Sequence, residues 1–286
     1  MLSVKHVNKT YSDGTHALRD INLELPNGMV GLLGPNGAGK STLMRTLACI
    51  QSPDSGEMTF AGINVLDNPM AIRKQLGYLP QDFGVYPYMS CRSLLKHMAV
   101  LKGVNDKSVQ RQHIDSLLEL TNLSHVADKH VSTFSGGMRQ RFGIAQALLG
   151  DPKLVIMDEP TAGLDPAERD RLHNLLVSIS QDKLILLSTH IVEDVENLCQ
   201  HVTLINSGQV VESNPIDKLI APLCKNLWQS DKPPGDHGLL LNKSYHHGKP
   251  SFRFFSEQSP HFDAQPAEAT LQDRYFFELA KQGTSA

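Results

Sequence analysis

The residues with the clearest chemistry are Gly34-Pro35-Asn36-Gly37-Ala38-Gly39-Lys40-Ser41, the pattern G-x-x-x-x-G-K-[ST], followed by Thr42. Glycines let successive backbone N–H groups turn toward one anion without a Cβ in the way, and a helix start adds about half a positive charge. A triphosphate is the natural guest. Lys40 is placed to set its ammonium on the β- and γ-phosphates and Ser41 to offer its hydroxyl to Mg²⁺. A second cluster ends the apolar run Leu154-Val155-Ile156-Met157 with Asp158-Glu159. Asp158 is expected to hold Mg²⁺ from the other side, and Glu159 to polarise the water that attacks the γ-phosphate. By itself an acidic strand end is also a common structural feature.

These groups need elements to hold them. Met29-Val30-Gly31-Leu32-Leu33 before the loop and Ser41-Thr42-Leu43-Met44-Arg45-Thr46-Leu47 after it give the strand, loop and helix order of an α/β core with a parallel sheet. Ahead of them, Val4, Val7, Leu18, Ile21, Leu23 and Leu25 alternate around a turn at Ser12-Asp13-Gly14, which predicts antiparallel strands. From about residue 88 to 150 the period becomes helical, with Ile114, Leu117 and Leu118 on one stripe and Met138, Phe142, Ala145 and Leu149 on another. That segment reads as a helical insert. Leu154-Val155-Ile156-Met157 and Leu184-Ile185-Leu186-Leu187 suit buried parallel strands, and Leu172, Leu175, Leu176 and Ile179 mark the crossover helix between them. Beyond about Pro215 the punctuation by Pro233-Pro234-Gly235, His246-His247-Gly248 and Pro250 predicts a small α+β appendage. Its last helix starts at a possible capping box, Thr270-Leu271-Gln272-Asp273, and stops at Gly283.

Composition sets outer bounds. In 286 residues, 40% apolar and 20% charged composition is that of a folded chain rather than a disordered one. The formal charge of −3 gives no general pull toward nucleic acid or anionic lipid. No apolar run suffices to span a bilayer, and residues 1–11 lack the blocks of a signal peptide, so action at a membrane calls for another chain. The cysteines at 49, 91, 199 and 224 lie far apart and read as packing residues in a reducing cytosol. His246-His247 lacks further ligands at metal-binding spacing and reads as a solvated turn.

Between the two phosphate motifs stands Thr133-Phe134-Ser135-Gly136-Gly137-Met138-Arg139-Gln140-Arg141. Here the sequence resembles the ATP-binding cassette (ABC) family, whose signature L-S-G-G-Q holds that place. Tyr78-Leu79-Pro80-Gln81 looks like the Q-loop, Gly163-Leu164-Asp165 like the D-loop, Ser188-Thr189-His190 like the switch histidine, and Tyr11 like the adenine-stacking aromatic. The resemblance implies an ABC ATPase core with an antiparallel β subdomain and the helical insert over residues 1–218, and an accessory domain over 219–286. It implies ATP and Mg²⁺ as cofactors. It gives Glu159, His190 and Gln81 catalytic duties, with Gln81 also reaching the metal beside Ser41 and Asp158. It places ATP against Tyr11 and residues 34–42, and puts Ser135-Gly136-Gly137 and Asp165 across a head-to-tail pair of cassettes. Phe134 and Met138 depart from the usual Leu and Gln, which removes a polar contact to the opposing nucleotide and predicts a competent hydrolase with a weaker dimer grip. Asp165 also reads as a turn and helix start, Tyr11 as core, and His190 as a structural residue.

The same resemblance implies membrane-spanning permease partners on separate chains, a second cassette, and a place on the cytoplasmic face of the inner membrane. Tyr86-Pro87-Tyr88-Met89 is a candidate lining for the groove that would receive the permease, with internal packing as the other reading. Residues 81–87 and the tail from Leu219 look like cassettes of bacterial ABC-2-type exporters. The rival is a soluble ABC ATPase acting on nucleic acid or ribosomes. Against it, the stretch from Lys40 to Ser135 is too short for a long coiled coil and the chain has one P-loop. A third reading, an inactive nucleotide-binding regulator, is opposed by the intact Glu159 and His190.

Overall fold

The computed structural model describes residues 1–235, 238–258, 260 and 263–283. Strands β1 (Leu2–Thr10) and β2 (His16–Leu25) pair antiparallel, Leu2 opposite Leu25 and Thr10 opposite His16. A bulge lies between Val4 and Val7, where His6 takes φ 53°, and it keeps both valines buried. Two strands that the alternation does not announce extend this sheet: β4 (Ser55–Phe60), antiparallel to β1, and β5 (Ile63–Asn64), antiparallel to β4. The strand order is β2-β1-β4-β5.

The second sheet holds β3 (Gly28–Leu33), β6 (Leu76–Leu79), β7 (Leu154–Asp158), β8 (Leu184–Ser188), β9 (His201–Asn206) and β10 (Gln209–Pro215), in the order β10-β9-β3-β8-β7-β6. β3 runs parallel to β8 and β9, and β7 runs parallel to β6 and β8. Every residue of β7 and β8 is buried, as expected of central parallel strands. Helix α1 (Lys40–Leu47) follows β3 and sends Leu43, Met44 and Leu47 into a core shared by both sheets. Helix α2 (Pro69–Gln75) starts on proline and leads into β6.

The helical segment is α3 (Cys91–Leu101), α4 (Lys107–Leu120) and α5 (Gly136–Ala147). Each starts on a side-chain cap, from Ser90, Asp106 and Ser135 respectively, and each cap contributes about 1 kcal/mol. Ile114, Leu117, Leu118, Phe142 and Ala145 are buried as their spacing predicts, and Leu149 is buried just past the end of α5. Met138 is only half-buried. Helix α6 (Pro166–Ile179) is the crossover from β7 to β8 and buries Leu172, Leu175 and Leu176, with Ile179 half-buried.

Contacts divide the chain into one unit of Met1–His190 with Leu198–Ser213 and another of Ile191–Asn197 with the residues from Asn214 on. The second contains most of α7 (Val192–Leu198), α8 (Ile216–Ile220) and α9 (Leu271–Gly283), and a sheet of order β12-β13-β11-β14. Its strands are β11 (Leu227–Ser230), β12 (Leu239–His246), β13 (Lys249–Phe255) and β14 (Gln265–Pro266). Leu223, Leu227, Leu241, Ala269 and Phe277 form its core. The capping box is made in both directions. Asp273 N–H donates to Thr270 Oγ1 (3.3 Å), and Thr270 N–H donates to Asp273 Oδ2 (2.9 Å). Asp273 is 1% exposed and also accepts two hydrogen bonds from Arg253, at 2.8 and 2.7 Å. Asp273→Ala leaves the Arg253 guanidinium short of its counter-charge, and should lower the stability of this unit by about 3 kcal/mol. Hydrogen exchange on the full chain should show protection lost in β13 and α9 and kept in β7 and β8.

His246 and His247 are exposed at the turn between β12 and β13. The cysteines depart in part from their reading as packing residues. Cys91 and Cys199 are buried, and burial pushes the Cys91 thiol up to about 12. Cys49 is half-buried and Cys224 is exposed, because Cys224 follows the short α8 rather than lying inside an element.

Candidate nucleotide-binding and hydrolysis site

The 34–41 loop runs from the buried end of β3 into α1, and its backbone forces its composition. Gly39 caps α1 at φ 101°, and a Cβ there would lie 2.5 Å from the Ala17 carbonyl oxygen; at Gly34 a Cβ would run into the carbonyl of Ile205. Pro35 is half-buried, Ala38 is buried, and Asn36 and Gly37 are exposed. Helix α1 has no side-chain cap and no acidic residue in its first turn, so its positive end faces the loop without a protein carboxylate on it. The Lys40 ammonium donates to the carbonyls of Gly34 (2.6 Å) and Pro35 (3.0 Å), and the residue is only 9% exposed. Burial lowers its pKa, and the charges of Glu159 and Asp158 oppose that shift. The lysine and both carboxylates therefore lie within electrostatic reach of one another.

The carboxylates come from the end of β7. Asp158 is 5% exposed and registers with Ser188 of β8. Glu159 follows at φ 53°, a left-handed conformation uncommon for this residue type, held by its N–H donating to the Ser188 carbonyl at 2.8 Å. That turn points Glu159 to His190, whose Nδ1 lies 2.8 Å from Glu159 Oε2. A carboxylate only accepts, so Nδ1 is the donor of this pair and Nε2 is left outside it. Ser188 Oγ and Thr161 Oγ1 beside this strand end are buried without a hydrogen-bond partner. The chemistry of the donor set fits Mg²⁺: Ser41 brings a hydroxyl and Asp158 a carboxylate, both hard oxygen ligands.

Tyr11 is tied to α1. Its hydroxyl lies 3.2 Å from Thr42 Oγ1 and donates to Gln51 Oε1 at 3.2 Å, and Gln51 Nε2 donates to the Thr42 carbonyl and to Thr46 Oγ1, both at 3.0 Å. No motif marks Gln51, and only its place in this network shows its part. Gln81 is exposed just after β6 and, among the described residues, makes no hydrogen bond to the groups above. Two residues later Phe83 packs on Phe142 of α5, ring centroids 6.5 Å apart, over Gly143. A Cβ on Gly143 would lie 2.6 Å from Leu79 Cδ1 and 2.7 Å from the Phe83 ring. Gly143→Ala should therefore cost about 1–3 kcal/mol in thermal or denaturant unfolding, and Phe83→Leu in the same chain should restore part of it.

Ser135, Gly136 and Gly137 stand at the start of α5, Ser135 and Gly136 exposed, and no hydrogen bond joins them to the 34–42 loop among the described residues. Ser135 Oγ accepts from the Met138 N–H at 3.3 Å, while Phe134 is buried. Asp165 caps α6, its Oδ1 accepting from the Glu168 N–H at 2.8 Å, so its reading as a helix start holds. The structure thus gathers Lys40, Asp158, Glu159 and His190, and leaves the Ser135 segment apart.

A groove of about 460 Å³ is lined by Ile50, Met70, Tyr78, Met98, Leu101 and Gln146, among others. Tyr86-Pro87-Tyr88-Met89 lies outside that lining. Tyr86 stacks edge-on against His97 and Tyr88 against His130, and both tyrosines are exposed, which opposes their reading as internal packing. Among the described residues no helix is long and apolar enough to cross a membrane.

Comparison with known proteins agrees with this geometry. The family profile described as ABC transporter matches residues 18–162. The chain is 39% identical over 201 residues to ABC transporter A family member 8 of Dictyostelium discoideum, covering 70% of this chain and 24% of that protein, so it spans about a quarter of that relative's length. It is 35% identical over 246 residues to the ABC transporter ATP-binding protein YxlF of Bacillus subtilis, covering 86% of this chain and 81% of the relative. Relatives named for both directions of transport occur. A Nod factor export ATP-binding protein of Cupriavidus pinatubonensis is 37% identical (76% of this chain, 67% of that one), and a methionine import ATP-binding protein of Vibrio cholerae is 36% identical (77% and 67%). The dimeric ATP-binding cassette MJ0796, solved with ADP and Pi, superposes with a TM-score of 0.69 at 26% identity over 75% of this chain and 98% of its own. The sheet order, the phosphate loop and these matches lead to one assignment: the chain belongs to the ABC transporter family, as one of its ATP-binding, ATP-hydrolysing cassettes.

Proposed function

We propose that this chain is the ATPase subunit of an ABC-2-type exporter, residues 1–218 forming the nucleotide-binding domain and 219–286 an accessory domain. It works as a pair of cassettes on the cytoplasmic face of the membrane. The observation that carries the reading is the separation of the half-sites: Lys40 feels the charges of Asp158 and Glu159, and Glu159 meets His190, whereas Ser135-Gly136-Gly137 forms a second helix start suited to an anion and not bonded to the 34–42 loop among the described residues. A second copy would bring the two together over one triphosphate. The dimeric relative supports this.

In the mechanism, the N–H groups of the 34–41 loop and the Lys40 ammonium hold the phosphates, Thr42 lies beside them, and Tyr11 bears on the adenine. Ser41, Asp158 and Gln81 would hold Mg²⁺, which neutralises charge on the β- and γ-phosphates when bound. Glu159 Oε2 is engaged by His190, which leaves Oε1 to take the proton of a water as its oxygen bonds to the γ-phosphorus. The bond from that phosphorus to the bridging oxygen breaks and ADP leaves with the electron pair. His190 keeps Glu159 in this orientation through Nδ1, and its Nε2 would bear on the γ-phosphate. Ser135 and Asp165 close the site from the partner, and release of phosphate removes the charge that held the pair.

The groove supplies the docking surface for the permease, since Ile50, Met70 and Leu101 on its walls are more than half exposed. The export direction rests on the likeness of residues 81–87 and the tail to ABC-2 cassettes. Affinity capture of the chain from detergent-solubilised membranes should recover a membrane-spanning protein. Leu101→Glu should cut that recovery at least tenfold and leave basal ATP turnover within about twofold, because burying an unpaired charge at an interface opposes docking. Recovery of ribosomes or DNA in its place would support the soluble alternative. In vesicles whose cassettes face outward, where export appears as ATP-driven uptake, ATP-driven loss of substrate from the lumen would overturn the export direction alone.

A further inference from the structure

Within the paired-cassette reading, on which this inference rests, Glu168 has a place that no motif gives it. We propose that Glu168 is a positioning residue that holds Ser135-Gly136-Gly137 and Asp165 together as one preassembled surface for the second nucleotide. Its backbone, in the first turn of α6, donates to Asp165 Oδ1 at 2.8 Å. Its side chain crosses to α5. There Oε1 lies 3.5 Å from Arg141 Nη2, and the carboxylate packs so tightly on Gly137 that a Cβ at that glycine would lie 2.9 Å from Oε2. Arg171 approaches Oε1 at 3.8 Å from one turn along α6. One residue therefore touches both elements that face the partner chain.

The charge arrangement gives the contact a second effect. A carboxylate beside the start of α5 opposes an incoming phosphate, because that helix end is where an anion is favoured. Arg141 is 9% exposed and its ion pair with Glu168 is its only one among the described residues; together with Arg171 it neutralises the carboxylate. The pair thus fixes α5 against α6 and keeps the helix start electropositive. Met138 leaves that start without the usual glutamine, so the backbone N–H groups of Gly136 and Gly137 carry more of the grip, and their position matters more.

The test uses the full chain carrying Glu159→Gln, in which ATP-driven dimerisation is followed by sedimentation while nucleotide affinity of the dilute monomer is measured with a fluorescent ATP analogue. Glu168→Ala and Arg141→Ala should each weaken dimerisation about tenfold, with monomer affinity kept within about twofold. The double substitution should be no worse than the weaker single, because both remove the same interaction. Since Glu168→Ala leaves a buried guanidinium without its counter-charge, Glu168→Gln serves as the milder variant: it keeps the contact on Gly137, loses the charge, and should weaken dimerisation about threefold. Wild-type dimerisation in both Glu168 variants would overturn the inference and leave the paired-cassette reading standing. A parallel fall in monomer affinity would also overturn it, since that marks a general structural role. A Glu159→Gln parent that stays monomeric under saturating ATP would overturn both.

Discussion

Glu159→Gln is expected to lower steady-state ATP hydrolysis at least a hundredfold while leaving ATP binding intact, the size of effect that loss of a positioned general base carries. The geometry favours a clean result. Glutamine keeps an oxygen that can accept from His190 Nδ1, now 2.8 Å from the carboxylate, and it keeps the length of a side chain only 11% exposed. What it cannot do is take a proton from water. His190→Ala should be the milder change, since it removes the orienting partner and not the base. The measurement is phosphate release at saturating ATP, beside equilibrium binding of ATP to the same preparation. Equal turnover in wild type and Glu159→Gln would remove Glu159 from the reaction and reopen the reading of the chain as a nucleotide-binding regulator.

The legible parts of this fold are those where one local rule decides. Residues 34–41 predict a strand, a loop and a helix because only glycine tolerates the φ of 101° at Gly39 and the approach to Ala17. The Thr270 to Asp273 pair reads as a capping box because both partners sit three residues apart in the sequence. Strand β4 is not legible in that way. Its alternation is short, with Met58 and Phe60 as its only large apolar residues, and it is a strand because β1 already offers an edge to it. The same holds for Gln51, Phe83 and Glu168. Each acts through a partner far away in the sequence (Tyr11, Gly143 and Arg141), so no spacing rule reports them. The motif residues could be located without the fold, whereas the residues that aim them could not.

Lys40→Met should abolish most of the thermal stabilisation that ATP confers while changing the nucleotide-free protein little. Two opposing effects nearly cancel in the free protein. Burial already disfavours the Lys40 charge, so removing the ammonium relieves a desolvation cost, and against this the carbonyls of Gly34 and Pro35 lose a donor. With ATP the balance is one-sided, because a hydrogen bond to a charged phosphate contributes about 1.5–3 kcal/mol, or roughly a ten- to hundredfold change in affinity. At ATP a hundredfold above the wild-type dissociation constant, linkage stabilises the wild type by about 2.7 kcal/mol. For a unit of this size that is a rise in melting temperature of roughly 5–10 °C. At the same ATP concentration the Met variant should keep less than about half of that rise, and turnover should fall at least as far as binding. The readout is a pair of melting curves for each protein, with and without ATP. An ATP-induced rise equal in both would mean that Lys40 does not meet the phosphates, and the 34–41 loop would then lose its place as the nucleotide site even with the fold unchanged.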